Sequence, residues 1–215
     1  MQREQVSIPA DHATLEGELA LPDGARAVVL FAHGSGSSRF SPRNNYVASV
    51  LQDAHIATLL FDLLTREEDR SYETRFDIDL LTRRLLAATA WVMRNPATQT
   101  LHIGYFGAST GAAAALQAAA EVGQAVSAVV SRGGRPDLAG TVALHKVRAP
   151  TLLIVGGADV PVIGMNESAA AQMRAPHRLV IVPGATHLFE EPGTLEAVAR
   201  LARDWFTAHL SGHVS

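Results

Sequence analysis

The chain has 215 residues, 47% of them hydrophobic and 18% charged, a formal net charge of −3 and no cysteine. This composition suits one compact domain over residues 1–215 with a substantial core, and it excludes disulfides and cysteine-based metal sites. The mildly acidic balance gives no electrostatic case for nucleic-acid binding.

In chain order, "QVSIPA" and "TLEGELALP" read as an antiparallel pair at a sheet edge. "VVLFAHG" (28–34) is a buried strand ending in glycine, and "NNYVASVLQDA" follows with helical spacing, Tyr46, Val47, Val50 and Leu51 sharing a face. "IATLLFDLL" (56–64) is the next strand, and the charged segment 65–76 reads as an exposed loop. A long helix covers 77–95 and stops before Pro96. Then come a strand (101–108), an alanine-rich helix closed by Gly123, a strand (126–134) and a short helix in "PDLAGTVALHKV". A strand (149–159), a helix over 166–174, a strand (178–185) and a helix over 194–210 complete the pattern. The N-terminus lacks an apolar stretch of signal-peptide type, and no apolar run is long enough to span a bilayer. The expectation is a soluble cytoplasmic protein without a membrane partner; nothing in the sequence sets an oligomeric state.

Strands alternating with helices imply an α/β fold with a doubly wound, mostly parallel sheet. Nearly continuous apolar strands fit a sheet covered on both faces. Ligands of such sheets bind beyond the carboxyl ends of the strands, so the residues just after each strand matter most. Those positions hold "HGSGSS", Asp62, Ser109, "SRGGRPD", Asp159 and His187.

Ser109 lies in "YFGASTG", after a strand and before a helix. A serine hydroxyl needs a general base to act as a nucleophile, and a tight strand-to-helix turn would present it to substrate. Small residues at 107 and 111 permit that turn. His187, in "VPGATHLFEEPG", is the candidate base. Asp159 is the candidate acid to orient it, with Asp137 in "GGRPDLAG" as the rival. An oxyanion hole would use the backbone N–H of Thr110 and that of Ser35, with Gly36 the alternative to Ser35. His33 is assigned to shaping its own loop. Arg39, Arg43, Arg132 and Arg135 fall on loops at the same edge. Arg39 and Arg132 are candidate substrate contacts, although pairing with the acidic loop or with Asp137 competes with that role. "HGSGSSRFSP" lacks the third glycine of a dinucleotide loop and the lysine of a P-loop, which argues against nucleotide binding. No metal-ligating cluster is apparent and no cofactor is expected.

The segments "FAHGSGSSR", "GYFGASTGAAAAL", "PTLLIVGGAD" and "VPGATHLFEEPG", in this order, resemble the α/β-hydrolases, and within them the dienelactone hydrolase-related branch. The resemblance runs from about Val6 to Leu210. It implies an α/β-hydrolase fold, a Ser109–Asp159–His187 triad and ester hydrolysis through an acyl-enzyme. Dienelactone hydrolases use a cysteine nucleophile and this chain has none, which favours a serine carboxylesterase. Proteins of this kind are sometimes fused to a phosphoribosyltransferase domain, and none is expected within these residues. The short stretch between the strands ending near 134 and starting near 150 leaves no room for a cap domain, so an open, shallow pocket for small short-acyl esters is expected. Perhydrolysis or acyl transfer from the same acyl-enzyme is one alternative. A non-catalytic ligand receptor is the other.

Overall fold

The structure, a computed structural model, describes residues 1–210. Its centre is set by runs of β-branched and large apolar residues. In β3 (Ala27–Ala32), Val28, Leu30 and Ala32 face one apolar layer, and Ala27, Val29 and Phe31 face the other. Every residue of β3 is buried, as are those of β4 (Ala57–Phe61) and β7 (Thr151–Gly156). Period-two alternation thus feeds two cores, one on each side of the sheet.

Among the described residues the sheet has eight strands, in the order β1-β2-β4-β3-β5-β6-β7-β8. The other strands are β1 (Gln2–Ala10), β2 (Ala13–Leu21), β5 (His102–Ala108), β6 (Val126–Arg132) and β8 (His177–Val182). The block from β4 to β8 is parallel, while β1 and β2 form an antiparallel edge. Helices α3 (Ile78–Arg94) and α4 (Thr110–Val122) cover one face; α1 (Pro42–Asp53) and α7 (Thr194–Leu210) cover the other. This is the doubly wound fold expected. Between β6 and β7 lie only a 3-10 turn (Pro136–Ala139) and α5 (Thr141–Lys146), so among the described residues no cap domain covers the sheet edge. No helix among the described residues is long and apolar enough to cross a membrane.

Two expectations need correction. The helix expected over 166–174 is α6 (Val160–Ala170), which begins directly after Asp159. Pro161 sits in its first turn, where a missing N–H breaks no intrahelical bond. The segment 65–76, expected as a plain loop, contains a 3-10 turn (Glu68–Arg70) and the short helix α2 (Tyr72–Arg75). Ion pairs order it: Arg75 Nε donates to Asp69 Oδ1 at 2.9 Å, and Arg84 Nη2, on a fully buried side chain of α3, donates to Glu68 Oε1 at 2.6 Å.

Candidate active site

The chain passes from β5 into α4 through Ser109, whose φ of 50° and ψ of −120° are strained for a residue with a side chain. Such a conformation costs about 1–3 kcal/mol and must be imposed by its surroundings. Two glycines make that possible. A Cβ on Gly111 would lie 2.1 Å from Ala32 O, and one on Gly107 would lie 2.5 Å from Ala112 Cα. The helix can close onto β3 and β5 only because both are absent. Backbone bonds then lock the turn: Ser109 N–H donates to Arg132 O at 3.3 Å, and Arg135 N–H donates to Ser109 O at 3.1 Å. Among the described residues, the Ser109 hydroxyl makes no hydrogen bond.

His187 follows β8 and Asp159 follows β7, its neighbour in the sheet. Ala158 N–H donates to Ala185 O at 2.9 Å and ties the two turns together. His187 Nδ1 lies 2.6 Å from Asp159 Oδ2. A carboxylate accepts only, so Nδ1 carries the proton and Nε2 is left with its lone pair. The aspartate side chain is 13% exposed and the imidazole 40%, so the carboxylate is sheltered while the imidazole faces solvent. The His187 loop is closed by Glu191, which accepts from Thr186 N–H at 3.0 Å and from Thr186 Oγ1–H at 2.6 Å. These two bonds hold the Glu191 carboxyl below its ordinary pKa. A Cβ built on Gly133 would lie 3.6 Å from His187 Cε1, and Gly133 directly follows Arg132, the partner of Ala108 across β5 and β6. The imidazole therefore sits beside the strand next to the Ser109 turn.

Asp137 does not compete for His187. Its carboxylate accepts from Arg135 Nε at 2.9 Å and from Arg135 Nη2 at 2.8 Å. That bond raises the guanidinium pKa of Arg135.

Thr110 opens α4, in the turn whose amides have no intrahelical acceptor. Ser35 N–H is already engaged: it donates to Thr110 Oγ1 at 3.0 Å. An oxyanion at this point would have to share or replace that bond. Gly36, at φ 68°, turns the loop, and its N–H has no partner among the described residues. His33 holds the loop from below. Its Nε2 accepts from Leu63 N–H at 3.0 Å and its Nδ1–H donates to Gly34 O at 3.0 Å. Burial lowers its pKa, so the ring is neutral. The side chain of Thr110 and the clamp by Glu191 were not foreseen; both are contacts between residues whose types alone give no signal.

The edge arginines divide. Arg39 pairs with Asp62 rather than with the acidic loop, and its backbone N–H donates to Asp62 Oδ1 at 2.7 Å. Arg43 lies 3.7 Å from Glu190. Arg132 is only 7% exposed and has no carboxylate partner among the described residues. No group of three or more His, Asp or Glu side chains among them converges on a metal-sized space.

The family model for the dienelactone hydrolase family matches residues 15–211. The chain belongs to the dienelactone hydrolase family. A crystal structure of dienelactone hydrolase from Anabaena variabilis is 60% identical to it, with a TM-score of 0.95, covering 97% of this chain and 98% of that one. Est1E from Butyrivibrio proteoclasticus is 17% identical with a TM-score of 0.80, covering 95% of this chain and 98% of that one, and shows a shared fold. Proteins from two Mycobacterium tuberculosis strains, provisionally named phosphoribosyl transferases, are 57% identical over 212 residues. The match takes in 99% of this chain but 48% of those proteins, so the chain spans about half the length of these curated relatives. Family and fold support a hydrolase.

Proposed function

We propose that the protein is a serine carboxylic-ester hydrolase acting on small short-acyl esters or lactones, with Ser109 as nucleophile, His187 as base and Asp159 as orienting acid. The observation that carries this reading is the 2.6 Å Asp159–His187 contact at the sheet edge where Ser109 occupies its strained turn. In this mechanism His187 Nε2 takes the Ser109 proton as the hydroxyl oxygen attacks the ester carbonyl. The Thr110 N–H and the Ser35 N–H, or that of Gly36, hold the oxyanion. His187 then protonates the leaving alcohol and activates the water that releases the acid. No cofactor enters any step.

The phosphoribosyl transferase name of the mycobacterial relatives belongs to proteins of which this chain spans 48%, and it supplies no residue role here. Acyl transfer or perhydrolysis would share the same acyl-enzyme, and product analysis with competing alcohols or peroxide separates them from hydrolysis. Turnover of p-nitrophenyl acetate and butyrate by the wild type, and its loss in Ser109→Ala with an unchanged fold, tests the reading. Turnover surviving at a near-wild-type rate in Ser109→Ala would overturn it. A wild type that binds such esters without cleaving them would favour a receptor on a hydrolase fold.

A further inference from the structure

A cavity of about 400 Å³ opens beside the loop that follows β3, lined by Ser37 and Ser38 of that loop, by Asp62 and Leu64 beyond β4, and by Thr14 and Glu16 of β2. A Cβ built on Gly34 would lie 3.1 Å from Ser109 Cβ, and Ser37 N–H donates to Gly34 O at 3.1 Å. One tight turn thus runs from the Ser109 elbow to the cavity wall. In the sheet, β4 and β3 lie on one side of β5, and β7 and β8 on the other. The cavity and His187 therefore flank Ser109 from opposite sides. The leaving oxygen of an ester must meet His187 Nε2, which directs the acyl portion away from the imidazole and toward the cavity.

The lining is polar and carries no surplus charge. Asp62 pairs with Arg39, and Asp69 accepts from Arg75 Nε at 2.9 Å. Arg66 and Glu16 also line the space, with opposite signs and no ion-pair partners among the described residues. Burial keeps His33 neutral. A charged group gains little there, whereas a group with many hydroxyls finds partners. The Ser37 and Thr14 hydroxyls make no hydrogen bond among the described residues. Ser38 Oγ accepts from Phe40 N–H and Thr65 Oγ1 from Glu68 N–H, so each still has an O–H to donate. Phe40, 69% exposed, also lines the cavity, with the Arg39 guanidinium 4.4 Å from its ring centroid. An exposed aromatic face beside hydroxyls, carboxylates and guanidiniums suits a sugar-like group, which has an apolar C–H face and a polar edge. We propose that this cavity binds a neutral, polyhydroxylated acyl group, so that the substrate is an ester or lactone of a sugar-derived hydroxy acid. Its role toward substrate rests on Ser109 being the nucleophile; its ability to bind a hydroxylated ring does not. With a lactone, Ser109 Oγ bonds to the carbonyl carbon, the ring C–O bond breaks and the ring oxygen takes the proton from His187. Water then cleaves the acyl-enzyme, giving the free hydroxy acid and restoring Ser109.

The test compares two lactones of the same carbon skeleton, D-galactono-1,4-lactone and γ-hexalactone, which differ only in their hydroxyls. Acid release is followed by pH-stat, and each kcat/KM is divided by that lactone's own hydroxide-catalysed rate constant, because hydroxyls near the carbonyl also raise intrinsic reactivity. The wild type is expected to prefer the hydroxylated lactone about tenfold or more on this scale. At least one of Phe40→Ala and Ser37→Ala drives the ratio toward one; a merely structural defect would lower both rates and leave the ratio unchanged. A ratio at or below one, or a ratio that survives both substitutions, would overturn the cavity's role and leave the esterase reading standing. So would turnover of p-nitrophenyl esters without turnover of either lactone. If the wild type cleaves no lactone and no p-nitrophenyl ester, calorimetric titration with D-galactono-1,4-lactone decides. Binding that weakens in Phe40→Ala would support the polyol site and remove the esterase reading, and no binding would remove both.

Discussion

His187 Nδ1–H donates to Asp159 Oδ2 at 2.6 Å, joining the ends of two neighbouring strands. This bond fixes the tautomer that leaves Nε2 available as a base. Asp159→Asn presents an amide that favours the wrong tautomer, so kcat for p-nitrophenyl butyrate is expected to fall by roughly a thousand- to ten-thousandfold. Asp137→Asn, which disturbs only the exposed bond to Arg135, is expected to change it little. Steady-state kinetics of the two variants checks both; the reverse order would move the acid to Asp137.

Gly111→Ala is expected to be the more damaging of the two elbow substitutions. Its Cβ would meet Ala32 O at 2.1 Å, whereas that of Gly107→Ala meets Ala112 Cα at 2.5 Å. Both contacts are with backbone, so relief requires moving α4. A loss of about 2–4 kcal/mol, or failure to fold, is expected in urea denaturation.

Thr110→Val keeps the shape of the side chain and removes the oxygen that accepts from Ser35 N–H. The loop 34–36 then loses a tie to α4, worth about 1 kcal/mol. We expect kcat to fall about tenfold with little change in KM, and Thr110→Ser to retain activity. An increase in kcat would show instead that the hydroxyl blocks the Ser35 N–H.

The neutral state of His33 predicts an acid-sensitive loop. Its folded pKa lies below the unfolded value of about 6.5, so the unfolded chain binds the proton more readily. The stability this contributes is present above about pH 6.5 and is lost as pH falls below it. Protonation would also remove the acceptor for Leu63 N–H. Compared with wild type, His33→Phe should lose about 1–3 kcal/mol near neutral pH and show a shallower decline in Tm between pH 7 and 5.

Much of this architecture was legible because it rests on local pattern. Runs such as "TLLIVGG", short, rich in β-branched residues and closed by glycine, read as strands buried on both faces, and they place Ser109, Asp159 and His187 at one edge before any contact is known. The start of α6 was missed because its first five residues, "VPVIG", are a proline, a glycine and three β-branched residues, all weak helix formers. The helix α2 has too few residues for periodicity, and its order comes from Asp69 and from Glu68 reaching Arg84 across the fold. The engagement of Ser35 by Thr110 and the lack of a counter-ion for Arg132 were likewise invisible. Each depends on which side chains from distant segments meet, and composition at one position does not encode that.

The central claim is that Ser109 is a nucleophile. Its most direct test is reaction with a fluorophosphonate followed by mapping of the modified peptide. The account predicts one phosphonyl group per chain, on Ser109, with labelling lost in Ser109→Ala and strongly slowed in His187→Ala. Labelling at another serine, or none at Ser109 in a protein that cleaves esters, would contradict it.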